Sequence, residues 1–221
     1  MHIKKFLNRI LDLIYPRKCY LCNKIVLKFD EFLCETCNKN LEISTRIRYL
    51  DTEKTIICIS PFEYSGNIRK SIIRFKFYNY KYYSNFFAEI IARELYKFNI
   101  KKFDYICYVP LTKKSKNARG YDQSEALAKD ISAIINIPCA KVLKKIRDTK
   151  PQHELKLSER KINVLGAFDI NSNINIKNKR ILLCDDIITS GTTLSECVKV
   201  LLEHDVLQVY CCTIASTKIL F

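Results

Sequence analysis

Arg180–Leu194 reads RILLCDDIITSGTTL, and this stretch decides the fold. Ile181–Cys184 is a continuous apolar run, the pattern of a strand buried on both faces of a sheet. Asp185 and Asp186 follow where that strand emerges. Successive side chains of an extended segment point to opposite sides. The acidic pair is therefore placed to hold two neighbouring hydroxyls, such as the 2′ and 3′ positions of a ribose, directly or through hydrated magnesium. Thr189, Ser190, Gly191, Thr192 and Thr193 then open a helix over 192–203. Small hydroxyl residues and one glycine let consecutive backbone N–H groups face a phosphate, and the helix N-terminus adds favourable polarity. A plain capped helix also favours Ser and Thr at its start. What singles out a phosphate loop is the order: apolar strand, two acids, two apolar residues, then T-S-G-T-T.

Outward from this loop, strand-like and helix-like segments alternate. Strands are expected over 55–64 and 103–109, near 139–143 and over 206–215, and helices over 67–76, 82–98 and 124–135. That alternation predicts an α/β fold with a mostly parallel sheet flanked by helices, with ligands bound beyond the carboxyl ends of the strands. A long basic segment runs from Lys144 to Lys161, and 45–54 reads as a polar connector. Residues 3–14 carry apolar side chains at helical spacing, ended by Pro16; that apolar face packs on the protein or lies at a membrane interface. The chain divides into an N-terminal helix and cysteine module, 1–50, and an α/β domain, 51–221.

The cysteine module holds Cys19-x-x-Cys22 and Cys34-x-x-Cys37, separated by eleven residues. Each pair lets two thiolates reach one metal from a tight turn, and four thiolates make a closed, structural zinc site. Asn23 and Asn38 follow the knuckles, where positive φ is common and Asn is well tolerated. Cys107, Cys184, Cys211 and Cys212 instead sit in apolar runs, as buried free thiols do. The odd total of eleven fits a reducing compartment.

The motif of 181–193 resembles the type I phosphoribosyltransferase signature at every position. A second stretch, VPL…ARGYDQ from Val109 to Gln123, resembles the ComF group of amidophosphoribosyltransferase-like proteins, which also carries an N-terminal zinc module. The resemblance covers nearly the whole chain and implies phosphoribosyl pyrophosphate as ligand, with magnesium. It places Asp185 and Asp186 on the ribose, and Thr189, Ser190, Gly191, Thr192 and Thr193 on the 5-phosphate. Pro110, Leu111, Thr112, Lys113, Arg119 and Gly120 would form the pyrophosphate loop. A lid would come from 147–160, including Arg147, Thr149, Gln152 and Arg160. No residue presents itself as an obligatory general base, so the catalytic residue and the acceptor are left open.

The net charge of +15 suits polyanionic partners, although a solvated Lys-rich face accounts for it equally. The ComF resemblance implies natural competence and DNA uptake, next to single-stranded DNA and the competence helicase and import proteins. Tyr78, Tyr80, Tyr82 and Tyr83 among Lys76 and Lys81 are candidates for stacking bases, or for helix packing. The alternatives to a transferase are thus a sugar-phosphate sensor without turnover and a single-stranded-DNA-binding module. No run approaches the roughly 18 apolar residues of a membrane span. A cytoplasmic protein, with peripheral membrane contact at most, is expected.

Overall fold

The computed structural model describes residues 16–26, 32–78, 81–149 and 155–218. The helix expected over 3–14 lies outside the described residues, as do Tyr80 and Gln152. The strands are β1 (Arg46–Leu50), β2 (Ile56–Ser60), β3 (Phe62–Glu63), β4 (Tyr105–Tyr108), β5 (Leu143–Lys145), β6 (Phe168–Ile170), β7 (Arg180–Ile188) and β8 (Gln208–Ser216). The helices are α1 (Glu35–Lys39), α2 (Gly66–Phe77), α3 (Tyr83–Lys97), α4 (Lys113–Arg119), α5 (Gln123–Ile135), α6 (Leu157–Val164) and α7 (Thr192–Glu203).

The main sheet runs β1-β2-β8-β7-β4, with β3 also on β8. Every pairing in it is parallel except the edge pair β1–β2. Ile181, Leu182, Leu183 and Cys184 of β7 have no exposed surface, as a strand covered on both faces requires. Leu182 and Cys184 pack with Ile72 and Phe75 of α2, Phe87 and Ile91 of α3, and Leu127 and Ile131 of α5. Ile181 and Leu183 pack on the other side with Leu194, Cys197 and Leu201 of α7. That second layer also takes Leu143 and Phe168 from the separate antiparallel pair β5–β6. The fold is thus the expected mostly parallel sheet between helices.

Three local expectations are corrected. The strand expected over 55–64 is broken after Ser60, because Pro61 has no N–H to donate to a ladder. The connector expected over 45–54 contains β1, which joins the sheet and so ties the first expected unit to the second. Its R-I-R-Y-L pattern hides a strand because it lies at an edge, with Ile47 and Tyr49 exposed and only Leu50 buried. The basic segment from Lys144 to Lys161 contains the last two residues of β5 and the start of α6.

Candidate functional site: a cleft at the carboxyl ends of the central strands

β4 and β7 end side by side, and a cleft of about 460 Å³ opens beyond them. Asp185 and Asp186 stand on its floor, and the strand alternation sends them apart as expected. Asp186 continues the face of Leu182 and Cys184, and its Oδ2 lies 2.7 Å from Lys76 Nζ of α2. Asp185 Oδ1 accepts from Ser124 Oγ at the start of α5 and from its neighbour's backbone N–H, both at 2.8 Å. Burial, and then the charge of Asp186, push the Asp185 carboxyl up to about 7.

Beyond the acids, Thr189, Gly191 and Thr193 line the cleft. Ser190 and Thr192 face a neighbouring hollow between α6 and α7, with their hydroxyl oxygens 3.1 Å apart. Gly191 caps α7 at φ +86, a left-handed conformation that costs a side-chain-bearing residue. A Cβ there would stand 3.4 Å from Leu50 Cδ2 of β1. Arg48, also on β1, donates to the Thr189 carbonyl oxygen. The edge strand missed in the sequence therefore braces the loop.

The segment after β4 is tighter than the open loop expected there. Thr112 accepts from the Ser115 N–H at 3.2 Å and caps α4, so Lys113–Arg119 is helical and ends at Gly120, φ +82. The backbone N–H groups of Val109 and Leu111 are engaged by the Cys184 carbonyl and by Asp122 Oδ2, both at 3.0 Å. Pro110, Leu111 and Arg119 still line the cleft. Lys113 is exposed at the helix start, away from the lining. Arg119 is held by Gln123 Oε1 at 2.8 Å.

Of the lid candidates, Arg160 lines the cleft, with its Nε donating to the Leu155 carbonyl oxygen at 3.3 Å. Arg147 instead donates to the carbonyl oxygens of Asn163 and Leu165, at the end of α6. Thr149 accepts from Lys145 Nζ at 2.7 Å.

Lys76, Ser124 and Lys145 belong to the cleft and were not singled out for it in the sequence. Lys145 lies 5.5 Å from the Phe168 ring centre, and burial lowers its pKa. Ser124 directly follows the quoted Y-D-Q, a signal one residue from being used. Lys76 and Lys145 carry no local signal, because packing from distant elements brings them here. The tyrosine cluster divides: Tyr83 is fully buried and Lys76 points at Asp186, whereas Tyr78 and Tyr82 are exposed.

The four module cysteines converge, with all their sulfurs within 4.8 Å of one another and Cys22 Sγ 3.6 Å from Cys34 Sγ. A tetrahedron with zinc–sulfur bonds of about 2.3 Å has edges of about 3.8 Å, so the set fits zinc. Burial pushes the Cys19 thiol up, but the backbone N–H groups of Cys22, Cys34 and Leu21 outweigh it and hold it at about 7. Asn23 has the expected positive φ of 66. Asn38 does not, because the second knuckle runs straight into α1 and the Asn38 N–H donates to the Cys34 carbonyl at 2.9 Å. Cys19, Leu21 and Leu33 join the main core, and Tyr20 stacks on Tyr83 with ring centres 4.3 Å apart. None of the eleven cysteines is in a disulfide. Among the described residues no helix is long and apolar enough to cross a membrane.

Comparison with known proteins agrees with this geometry. Residues 85–219 match the phosphoribosyl transferase domain, and residues 10–47 match the double zinc ribbon domain. Competence protein ComFC of Bacillus subtilis is 25% identical over 205 residues, covering 88% of this chain and 82% of that protein. Competence protein F of Haemophilus influenzae is 30% identical over 138 residues, 59% of each chain. DNA utilization protein YhgH of Escherichia coli is 29% identical over 111 residues, 49% of this chain and 48% of that one. The Cys19, Cys22, Cys34 and Cys37 cluster is accordingly a structural zinc site. This chain belongs to the phosphoribosyl transferase domain family, in its competence-associated ComF branch with an N-terminal zinc ribbon.

Proposed function

We propose that the cleft binds phosphoribosyl pyrophosphate with magnesium. The observation that carries this reading is the joining, in one cleft, of an acidic pair, a glycine-capped hydroxyl loop and basic side chains. Asp185 and Asp186 take the ribose hydroxyls. The 189–193 loop and the N-terminus of α7 take the 5-phosphate. Arg119 and the Pro110–Gly120 segment take the pyrophosphate, and Arg160 reaches over it from the 147–160 lid. Magnesium fits this donor set: it prefers hard oxygen ligands, few of them from protein, and ligand phosphates supply the rest. A cation beside Asp185 also offsets the burial and the Asp186 repulsion that together raise that carboxyl.

In the transfer reaction an acceptor nucleophile bonds to C1 of the ribose as the bond from C1 to the pyrophosphate oxygen breaks. The leaving pyrophosphate carries the electron pair, and the cationic walls stabilise its charge. The relatives' names, competence protein and DNA utilization protein, support a role in competence, with single-stranded DNA and its import proteins as the partners the reading extends to. Exposed Tyr78 and Tyr82 support a DNA contact, but with Tyr83 buried and Lys76 engaged they form a smaller patch than the sequence suggested.

Calorimetry against phosphoribosyl pyrophosphate, ribose 5-phosphate and pyrophosphate, each with magnesium, tests the reading. The intact ligand should bind tightest, because only it spans all three parts of the cleft. Equal affinity for pyrophosphate alone would overturn the ribose assignment. Pyrophosphate release on adding purine, pyrimidine or amine acceptors separates a transferase from a sensor.

A further inference from the structure

Helix α2 reaches both the cleft and the zinc ribbon. Ile72 and Phe75 point into the core. Arg69, Ile73, Lys76 and Phe77, spaced along one helical face, line the cleft. Arg74 leaves in a third direction, and its Nη2 donates to the carbonyl oxygens of Tyr20 at 2.9 Å and Leu21 at 2.6 Å. Those carbonyls lie between Cys19 and Cys22, inside the first zinc knuckle. The Arg74 guanidinium also stands 5.9 Å from the centre of the Tyr83 ring that stacks on Tyr20. Two residues further on, Lys76 holds Asp186. The last turn of the helix is gripped from the cleft side as well. The Tyr121 hydroxyl donates to the Phe75 carbonyl oxygen, and Gln123 Nε2 donates to the Lys76 carbonyl oxygen at 3.3 Å.

We propose that Lys76 is a positioning residue of the sugar-phosphate site, holding Asp186 toward the ribose, and that the zinc knuckle holds Lys76 in place through Arg74. The inference rests on the phosphoribosyl pyrophosphate reading. An ammonium group is donor only, so pairing with Oδ2 fixes the rotamer of Asp186 and presents its other oxygen to a hydroxyl. A free lysine side chain carries substantial rotamer entropy, which opposes the ion pair. Anchoring the helix at Arg74 reduces that cost, because the lysine then departs from a fixed backbone. Zinc loss at the knuckle lowers ligand affinity by the same route, a coupling between two distinct sites.

The test is calorimetry with magnesium and phosphoribosyl pyrophosphate on wild type, Lys76→Met, Arg74→Met and the double variant, with zinc content measured for each. Lys76→Met should weaken binding roughly tenfold, the size of one charge-assisted hydrogen bond. Arg74→Met should weaken it less, with zinc content unchanged; if that variant loses zinc, Arg74→Lys is read instead. The double variant should bind no worse than Lys76→Met alone, because Arg74 acts through Lys76. Lys76→Arg should recover most of the affinity, which a side chain needed only for packing would not do. Wild-type affinity in Lys76→Met, or single losses that multiply in the double variant, would overturn the proposal. If wild type itself does not bind, the ligand reading falls, and the link is decided by amide exchange at 186–190 in the ligand-free protein. Faster exchange in Arg74→Met supports it, and unchanged exchange ends it.

Discussion

The first zinc knuckle and the 189–193 loop are both tight turns with one residue at positive φ, Asn23 and Gly191, yet they owe their shape to different things. The loop is built between β7, buried on both faces, and α7, whose Leu194, Cys197 and Leu201 are buried. The knuckle has only a few buried side chains, among them Cys19 and Leu21. A turn on a large core is preformed for its ligand, whereas a turn with little core needs its metal in order to exist.

Metal removal should separate the two turns most strongly. Structural zinc in small modules contributes about 10–16 kcal/mol of apparent folding energy. A chelator should therefore abolish amide protection at 18–26 and 34–40 while leaving 181–184 protected. Hydrogen exchange checks this, and retained protection in the knuckles would show that packing on α2 and α3 alone holds the ribbon.

The two turns also differ in what stands at positive φ, Gly191 in the loop and Asn23 in the knuckle. Gly191→Val puts a branched side chain at φ +86 against Leu50 and should cost about 2 kcal/mol. Asn23→Ala at φ +66 in the knuckle should cost about 1 kcal/mol, because Asn already bears part of that strain. Denaturant unfolding of each variant gives the ranking, and the reverse order would contradict it.

Asp185 adds a pH dependence, because its carboxyl sits at about 7 against an ordinary 3.8 through burial and then the charge of Asp186. The folded state holds that proton more tightly than the unfolded chain, so this group's contribution to stability falls as pH rises from about 4 to about 7. Ligand binding runs the other way, because ribose hydroxyls and magnesium favour the ionised carboxylate. Affinity should rise roughly tenfold between pH 6 and pH 8 as the ionised fraction grows. Calorimetry at several pH values, corrected for ligand ionisation, checks the sign.

Local patterns carried much of this structure. The β7 strand, the acidic pair, the T-S-G-T-T turn and the cysteine spacing were legible because each is set by residues adjacent in the chain. What was hidden depends on distant partners. Lys76 reads as one more lysine until α2 is packed beside β7, and Arg48 and Leu50 read as connector until β1 is laid against the loop. The Lys-rich residues after Thr112 look like a solvated loop, although Thr112 and Gly120 mark the ends of α4. Asn38 followed the knuckle rule by position and failed it because α1 starts at once.

The central claim is that the acids on β7 hold the ribose of phosphoribosyl pyrophosphate. Its most direct test is calorimetry with magnesium and that ligand on wild type and on the Asp185→Asn/Asp186→Asn double variant, which preserves shape while removing both charges. Wild type should bind saturably and the variant should lose at least about a hundredfold in affinity, the sum of two charge-assisted hydrogen bonds. Equal affinity in the two proteins would contradict it.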